Sequence, residues 1–351
     1  MLRTTTIGAV TLCLLAGCSD SPVTTTPGAA DGGVAADGGP TADANAPVEA
    51  GPSDDRSVSG TWEKVEVKDK DGSPLSEIAS VVVVSATEVY VASGSGNLGT
   101  GFYRFDGAAW ASSYYSGFAT SLRLLPSGEL LAVGSNIFQK SASGNTWKQL
   151  ATPDNAYVND VWGESASSMF LSANTVYQRS GSSWKAAPGM PATIGGTFLG
   201  TKDGKTFFSG SKSWKTEFFR FDGTKWEDLK STLPAEHQGG GTRGMFGTMS
   251  DDLWLVGSAR KLLRFDGKAF SIVPGPDDEW GCDLSGGFAT SKKNAWLYGA
   301  SGCIFHWDGS AWTKTATGMT ENIYALHASD PENVWAVPAT KTHVLRLKPN
   351  K

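Results

Sequence analysis

From residue 59 to its end the chain alternates short apolar stretches with Gly, Asp-Gly and other turn residues, and no helical periodicity is evident. That is the pattern of short β-strands separated by tight turns. A self-similar unit of about 40 residues recurs, made of a β-rich stretch, a Gly, a second stretch, Asp-Gly and a Trp. Its clearest copies run from Asp252-Leu253-Trp254-Leu255-Val256-Gly257 to Arg264-Phe265-Asp266-Gly267, and from Asn294-Ala295-Trp296-Leu297-Tyr298-Gly299 to Trp307-Asp308-Gly309-Ser310-Ala311-Trp312. Aligned on the first bulky position, the copies fall at Tyr90, Leu131, Phe170, Phe207, Trp254, Trp296 and Trp335, with spacings of 41, 39, 37, 47, 42 and 39 residues.

Seven units therefore begin, yet only six end within the same stretch, at the closing aromatics Trp110, Trp147, Trp184, Trp226, Phe270 and Trp312. The missing seventh stands ahead of the first copy, as Trp62 in Gly60-Thr61-Trp62-Glu63-Lys64-Val65. A ring closed by an N-terminal strand explains both facts. Each unit reads as four strands, for the fifth roughly 243 to 249, 252 to 257, 261 to 266 and 269 to 274. The predicted fold is all-β: a seven-bladed β-propeller of four-stranded blades, with residues 59 to 67 completing the last blade. Six blades plus a decorated strand would require the copy centred on Leu131 or Phe170 to be something else.

The N-terminus changes this picture from a fold to an exported protein. Met1-Leu2-Arg3 gives a positive start, and Ile7 to Ala16 form an apolar stretch too short to span a bilayer. Leu15-Ala16-Gly17-Cys18 follows and resembles the bacterial lipobox, whose cysteine thiol takes the lipid. This implies a signal peptide at 1–17, a lipidated Cys18 and a membrane anchor. Ser19 rather than Asp after the cysteine resembles the default for outer-membrane sorting in a Gram-negative host. Residues 18–57 are rich in Ala, Gly, Pro, Thr and Asp and hold no aromatic residue, so a disordered tether is expected ahead of a propeller at 58–351. Residues 1–57 carry two basic and seven acidic side chains, and the rest of the chain carries 28 of each. A neutral domain without a basic stripe lacks the electrostatic term that nucleic-acid binding needs, which excludes that partner.

The turns Asp106 to Trp110, Asp222 to Trp226 and Asp308 to Trp312 resemble the Asp-box turns of BNR-type propellers, the family that includes sialidases. They depart from that motif in having one residue fewer between Asp and Gly, and Arg104, Arg220, Arg264 or His306 where it has Ser or Thr. The resemblance implies architecture rather than activity, since propellers host many chemistries. The repeated Trp62, Trp110, Trp147, Trp184, Trp226, Phe270 and Trp312 are expected to pack between blades. Arg104, Arg220 and Arg264 sit at equivalent repeat positions and should point around the ring; Arg123, Arg243 and Arg260 remain, without the recognisable Tyr/Glu setting a sialidase needs.

Other chemistry is sparse. His237, His306, His327 and His343 are far apart without metal-site spacing, and Asp69-Lys70-Asp71-Gly72 lacks the bidentate acid of a calcium loop, so no metal or cofactor is expected. Cys282 and Cys303, both in the sixth copy, are expected to form a disulfide outside the cytosol. The blade connections at 233–241 and 275–280 lie on the face opposite the Asp-Gly turns, where irregular loops carry binding. They offer Glu236, His237, Asp277, Asp278, Glu279 and Trp280, with Arg243 beside them, as candidate ligand-binding residues. The expected function is a non-catalytic binding or scaffold lipoprotein engaging an envelope protein or polysaccharide. The alternative is a carbohydrate-active enzyme, hydrolase or lyase, using Asp277, Asp278 or Glu279 with His237 as acid and base.

Overall fold

The computed structural model describes residues 59–350, apart from 76, 95–98, 154–155, 258–260, 275–281 and 341. Cys18, the signal peptide and residues 19–57 lie outside it. Among the described residues, twenty-eight strands form seven separate four-stranded antiparallel sheets. Blade 1 is β2 (Glu77–Ser85), β3 (Glu88–Gly94), β4 (Thr100–Phe105) and β5 (Trp110–Tyr115). Blades 2 to 6 follow in chain order with four strands each, from β6 (Ala119–Leu124) to β25 (Trp312–Thr315). Blade 7 takes β26 (Ile323–Asp330), β27 (Asn333–Pro338) and β28 (His343–Pro349) from the C-terminus and β1 (Gly60–Glu66) from the N-terminus. β1 pairs with β28 from Gly60↔Pro349 to Glu66↔His343, so the closing strand expected from the stray Trp62 is present. The fifth blade shows the strands Thr242–Met249, Asp252–Gly257, Leu262–Phe265 and Phe270–Ile272, close to the four read from its sequence.

The repeated residues explain the ring. Each second-strand bulky residue is buried, and seven apolar clusters, one per blade interface, each hold the closing aromatic of one blade against the preceding blade. Trp147 stacks on Phe102 of blade 1 at 3.9 Å, Trp226 meets Phe170 of blade 3 edge-on at 4.9 Å, and Trp312 meets Trp254 of blade 5 at 5.3 Å. Trp62 packs in the cluster of Trp296, so the N-terminal strand seals the last gap as its equivalents seal the others. The indole N–H groups of Trp110, Trp147, Trp226 and Trp312 find no acceptor among the described residues. Burying an indole face, worth about 3–5 kcal/mol by truncation, outweighs the roughly 1–3 kcal/mol of an unmade hydrogen bond.

The Asp-Gly turns do the work expected of them. The carboxylates of Asp106, Asp222, Asp266 and Asp308 each accept two backbone N–H bonds, from the residues two and three further on, at 2.7–2.9 Å. The glycine inside each turn has φ between 91° and 105°, a conformation that only glycine adopts without strain. These hydrogen bonds hold all four carboxyls below the usual range, Asp222 and Asp308 at about 2. The Arg at the preceding strand position is structural too: Arg264 lies over the Trp254 ring at 4.9 Å while its Nε donates to Asp252 at 2.7 Å. Arg104 pairs with Glu88 and Arg220 with Glu227, so these arginines spread around the ring and none converges on a site.

Cys282 and Cys303, the pair expected to form a disulfide, are both buried in the cluster between blades 5 and 6, and the structure does not show the bond between them.

Replacing Trp226 by Ala is expected to lower the unfolding free energy by about 3–5 kcal/mol, read as a lower urea midpoint with unchanged slope. A loss below about 1 kcal/mol would show that the closing aromatics do not hold the blades together.

Candidate functional site

Strand alternation divides the propeller into two faces. First-to-second and third-to-fourth turns share one, as the approach of Gly107 to Thr87 and of Gly309 to Lys293 shows. Second-to-third turns and blade connections share the other, where Ser135 N donates to Phe118 O and Gly240 N to Trp214 O. Gly60, where the preceding chain joins the propeller, pairs with Pro349 at the end of a third strand and so lies on the Asp-Gly face.

The opposite, loop face carries four of the exposed large apolar side chains: Phe118, Tyr157, Trp214 and Tyr324. Trp214 is the extreme case, 85% exposed at the tip of a two-residue turn between Lys212 and Lys215. Ser213 and Trp214 both have positive φ, 51° and 62°. Such a hairpin turn favours Asn-Gly, and a bulky residue there is strained. The connection at 233–241 braces this tip through Thr216 N to Gln238 O and the Lys215↔Gly239 bridge. A strained backbone that projects an indole into solvent is the kind of outlier found at functional positions.

Of the residues singled out from sequence, Glu236 and His237 sit in a short 3₁₀ turn, Ala235–His237, on this face. Lys261 Nζ donates to the Glu236 carbonyl at 3.1 Å, and burial, with Lys261 nearby, pushes the His237 imidazole down. Arg243 instead faces the ring axis, with Nη1 on Leu284 O at 3.1 Å and Nη2 3.7 Å from Asp283. Arg243 thus lines the axial channel, while Glu236 and His237 stand in the blade connection. Asp277, Asp278, Glu279 and Trp280 lie outside the described residues.

Along the axis runs a channel of about 450 Å³, lined by the first strands of all seven blades. In six blades the first-strand residue paired with the bulky second-strand position stands in its wall: Arg123, Trp162, Leu199, Phe246, Phe288 and His327, whereas Val82 of blade 1 is buried between blades. Arg123 and His327 are the two departures from an apolar ring. Arg123 Nε donates to the buried Asp160 at 2.6 Å, and Asp160 also accepts from Val161 N and from Phe198 N of the next blade, both at 2.8 Å. His327 Nδ1 accepts from Val83 N at 3.1 Å, and its ring lies 4.4 Å from that of Phe288. Ser80 Oγ accepts from Leu122 N in the same manner. These side chains satisfy inner-edge N–H groups that no further strand can reach. Sequence reading misses this channel because Arg123 and His327 belong to no local motif; only the alignment of repeats shows them as polar at an apolar position.

Compared with known proteins, the sequence matches no family and no curated protein. Solved structures share the fold. YCF48 bound to a D1 peptide aligns with a TM-score of 0.63 at 15% identity, over 83% of this chain and 98% of that one. Virginiamycin B lyase from Staphylococcus aureus aligns with a TM-score of 0.64 at 11% identity, over 83% and 99%. The WD40 propeller of Doa1 gives 0.59 at 11% identity, over 82% and 96%. With 820 solved chains matching, the likeness establishes a propeller scaffold and leaves function to the site.

Replacing Ser213-Trp214 by Asn-Gly is expected to stabilise the protein by about 1 kcal/mol, by relieving the αL strain; a lower urea midpoint would contradict it. Burial, with Arg123 second, holds the His327 pKa at about 3. An unfolded histidine titrates near 6.5, so below that pH the unfolded chain binds a proton that the fold refuses, and stability falls as pH falls. His237, His306 and His343 are shifted downward too and add to the slope. His327→Gln should flatten the decline in unfolding free energy between pH 6.5 and 5 by up to about 1.4 kcal/mol per unit; curves parallel to the parent would exclude His327 as a contributor.

Proposed function

We propose that the protein is a non-catalytic binding lipoprotein of the cell envelope, anchored through Cys18, that engages an envelope protein or polysaccharide through its loop face. The observation that carries this reading is the gathering of Phe118, Tyr157, Trp214 and Tyr324 on that face, with Trp214 held exposed at a cost in backbone strain. Exposed aromatics on a rigid scaffold serve as binding anchors, because a large apolar face is gained for little lost conformational freedom. Gly60, where the preceding chain joins the propeller, lies on the other face. A peptide-bound neighbour such as YCF48 makes a protein segment a reasonable occupant of such a face. The outer membrane is the expected location, from the lipobox and Ser19.

The reading is tested by placing a photo-crosslinking residue at position 214 of the full lipidated protein in cells, with the same residue at position 268 on the Asp-Gly face as control. The expected result is a discrete envelope protein or glycan captured from 214 and not from 268, and lost in the Asn-Gly hairpin variant with the probe moved to 157. The same captures from both faces, or none, would overturn it.

A further inference from the structure

We propose that the central channel binds a carboxylate carried on an apolar body, at a site formed by Arg123, Tyr298 and His327. This inference does not depend on the loop-face reading. The charge of the wall comes first: Arg123, Lys202 and Arg243 line the channel, and no Asp or Glu is among its lining residues. Arg123 gives only Nε to Asp160, which leaves the Nη groups, the strongest donors of the side chain, without an acceptor among the described residues. A third of that side chain is exposed, and the exposed part meets the channel.

Two further donors face the same space. Because His327 Nδ1 accepts the Val83 N–H, the ring proton sits on Nε2, and the imidazole presents a neutral N–H. Tyr298 belongs to the second strand of blade 6, yet it reaches the channel because its partner across the strand pair is Gly286. A Cβ at Gly286 would stand 2.5 Å from the Tyr298 hydroxyl. Burial pushes the phenol up, so it stays a donor, and both Tyr298 and His327 register the charge of Arg123. Neither Tyr298 Oη nor His327 Nε2 has an acceptor among the described residues, and neither is sealed inside the wall.

The chemistry of the ligand follows from the balance of these groups. Asp160 already offsets the charge of Arg123, so a dianion would be desolvated without full compensation. A singly charged carboxylate can take the Arg123 Nη donors together with Tyr298 or His327 as charge-assisted hydrogen bonds. The remaining wall, Trp162, Phe288, Phe246 and Leu199, together with the bare backbone at Gly286 and Gly287, suits an apolar or aromatic body. A volume of about 450 Å³ is that of a small-molecule site.

The test is isothermal titration of the mature protein with phenylacetate, indole-3-acetate and octanoate, each against its primary amide. The tripeptide Ala-Ala-Phe with a free and with an amidated terminus distinguishes a metabolite from a chain end as the source of the carboxylate. At least one acid should bind at least tenfold more tightly than its amide. Tyr298→Phe should weaken that acid by about tenfold with the melting temperature unchanged. Arg123→Met combined with Asp160→Asn, which avoids stranding the buried carboxylate, should erase the preference for acid over amide. Tighter binding of the peptide acid would point to a chain terminus, and binding of the small acids alone to a metabolite; either supports the site. Acids no better than their amides, absence of any binding, or a Tyr298→Phe protein that binds as well as the parent would overturn it.

Discussion

Everything in this propeller depends on one contact made seven times, the closing aromatic of a blade laid against the blade before it. A four-stranded sheet with apolar residues on both faces is not stable alone, and the ring is the arrangement in which each sheet covers two neighbours and no wide edge remains. The contact also dictates connectivity. The seventh blade would lack its outer strand, and the interface at Trp296 its indole, unless β1 supplied Trp62 from the far end of the chain. Ring closure is therefore a packing requirement that the sequence meets by moving one strand ahead of the first repeat.

The same geometry creates a second problem at the axis. The inner edge of every first strand exposes backbone donors that no further strand can reach. Asp160, Ser80 and His327 answer it by bonding to inner-edge N–H groups of the neighbouring blade. Satisfying the edge places a carboxylate and an imidazole at the channel, and the carboxylate in turn holds Arg123. The polar character of the channel is thus a consequence of how the ring ends its sheets, and the donors left over are what a ligand can use.

The fold was legible in the chain because its signal is repeated: seven bulky positions at near-constant spacing, and Asp-Gly turns whose carboxylates cap the hairpins as their chemistry requires. The site was less legible, for reasons that differ by residue. Arg243 is singled out in the sequence by its nearness to the 233–241 connection, whereas in the structure it lines the channel. Trp214 was missed because its meaning lies in a positive φ, which no local pattern shows in the absence of Gly or Asn. Arg123, Tyr298 and His327 come from three blades and meet only when the ring closes. Cys282 and Cys303 fall in one buried cluster, as their shared repeat implied.

The central claim is a division of labour: the repeated Asp-Gly face is scaffold, and the loop face is where a partner is met. The most direct measurement is an alanine scan of exposed positions on both faces, scored by co-purification of envelope components with the lipidated protein. The account predicts losses clustered at Phe118, Tyr157, Trp214 and Tyr324 and none at Thr224, Lys268 or Ser310. Losses centred on the Asp-Gly turns, with the loop face indifferent, would contradict it.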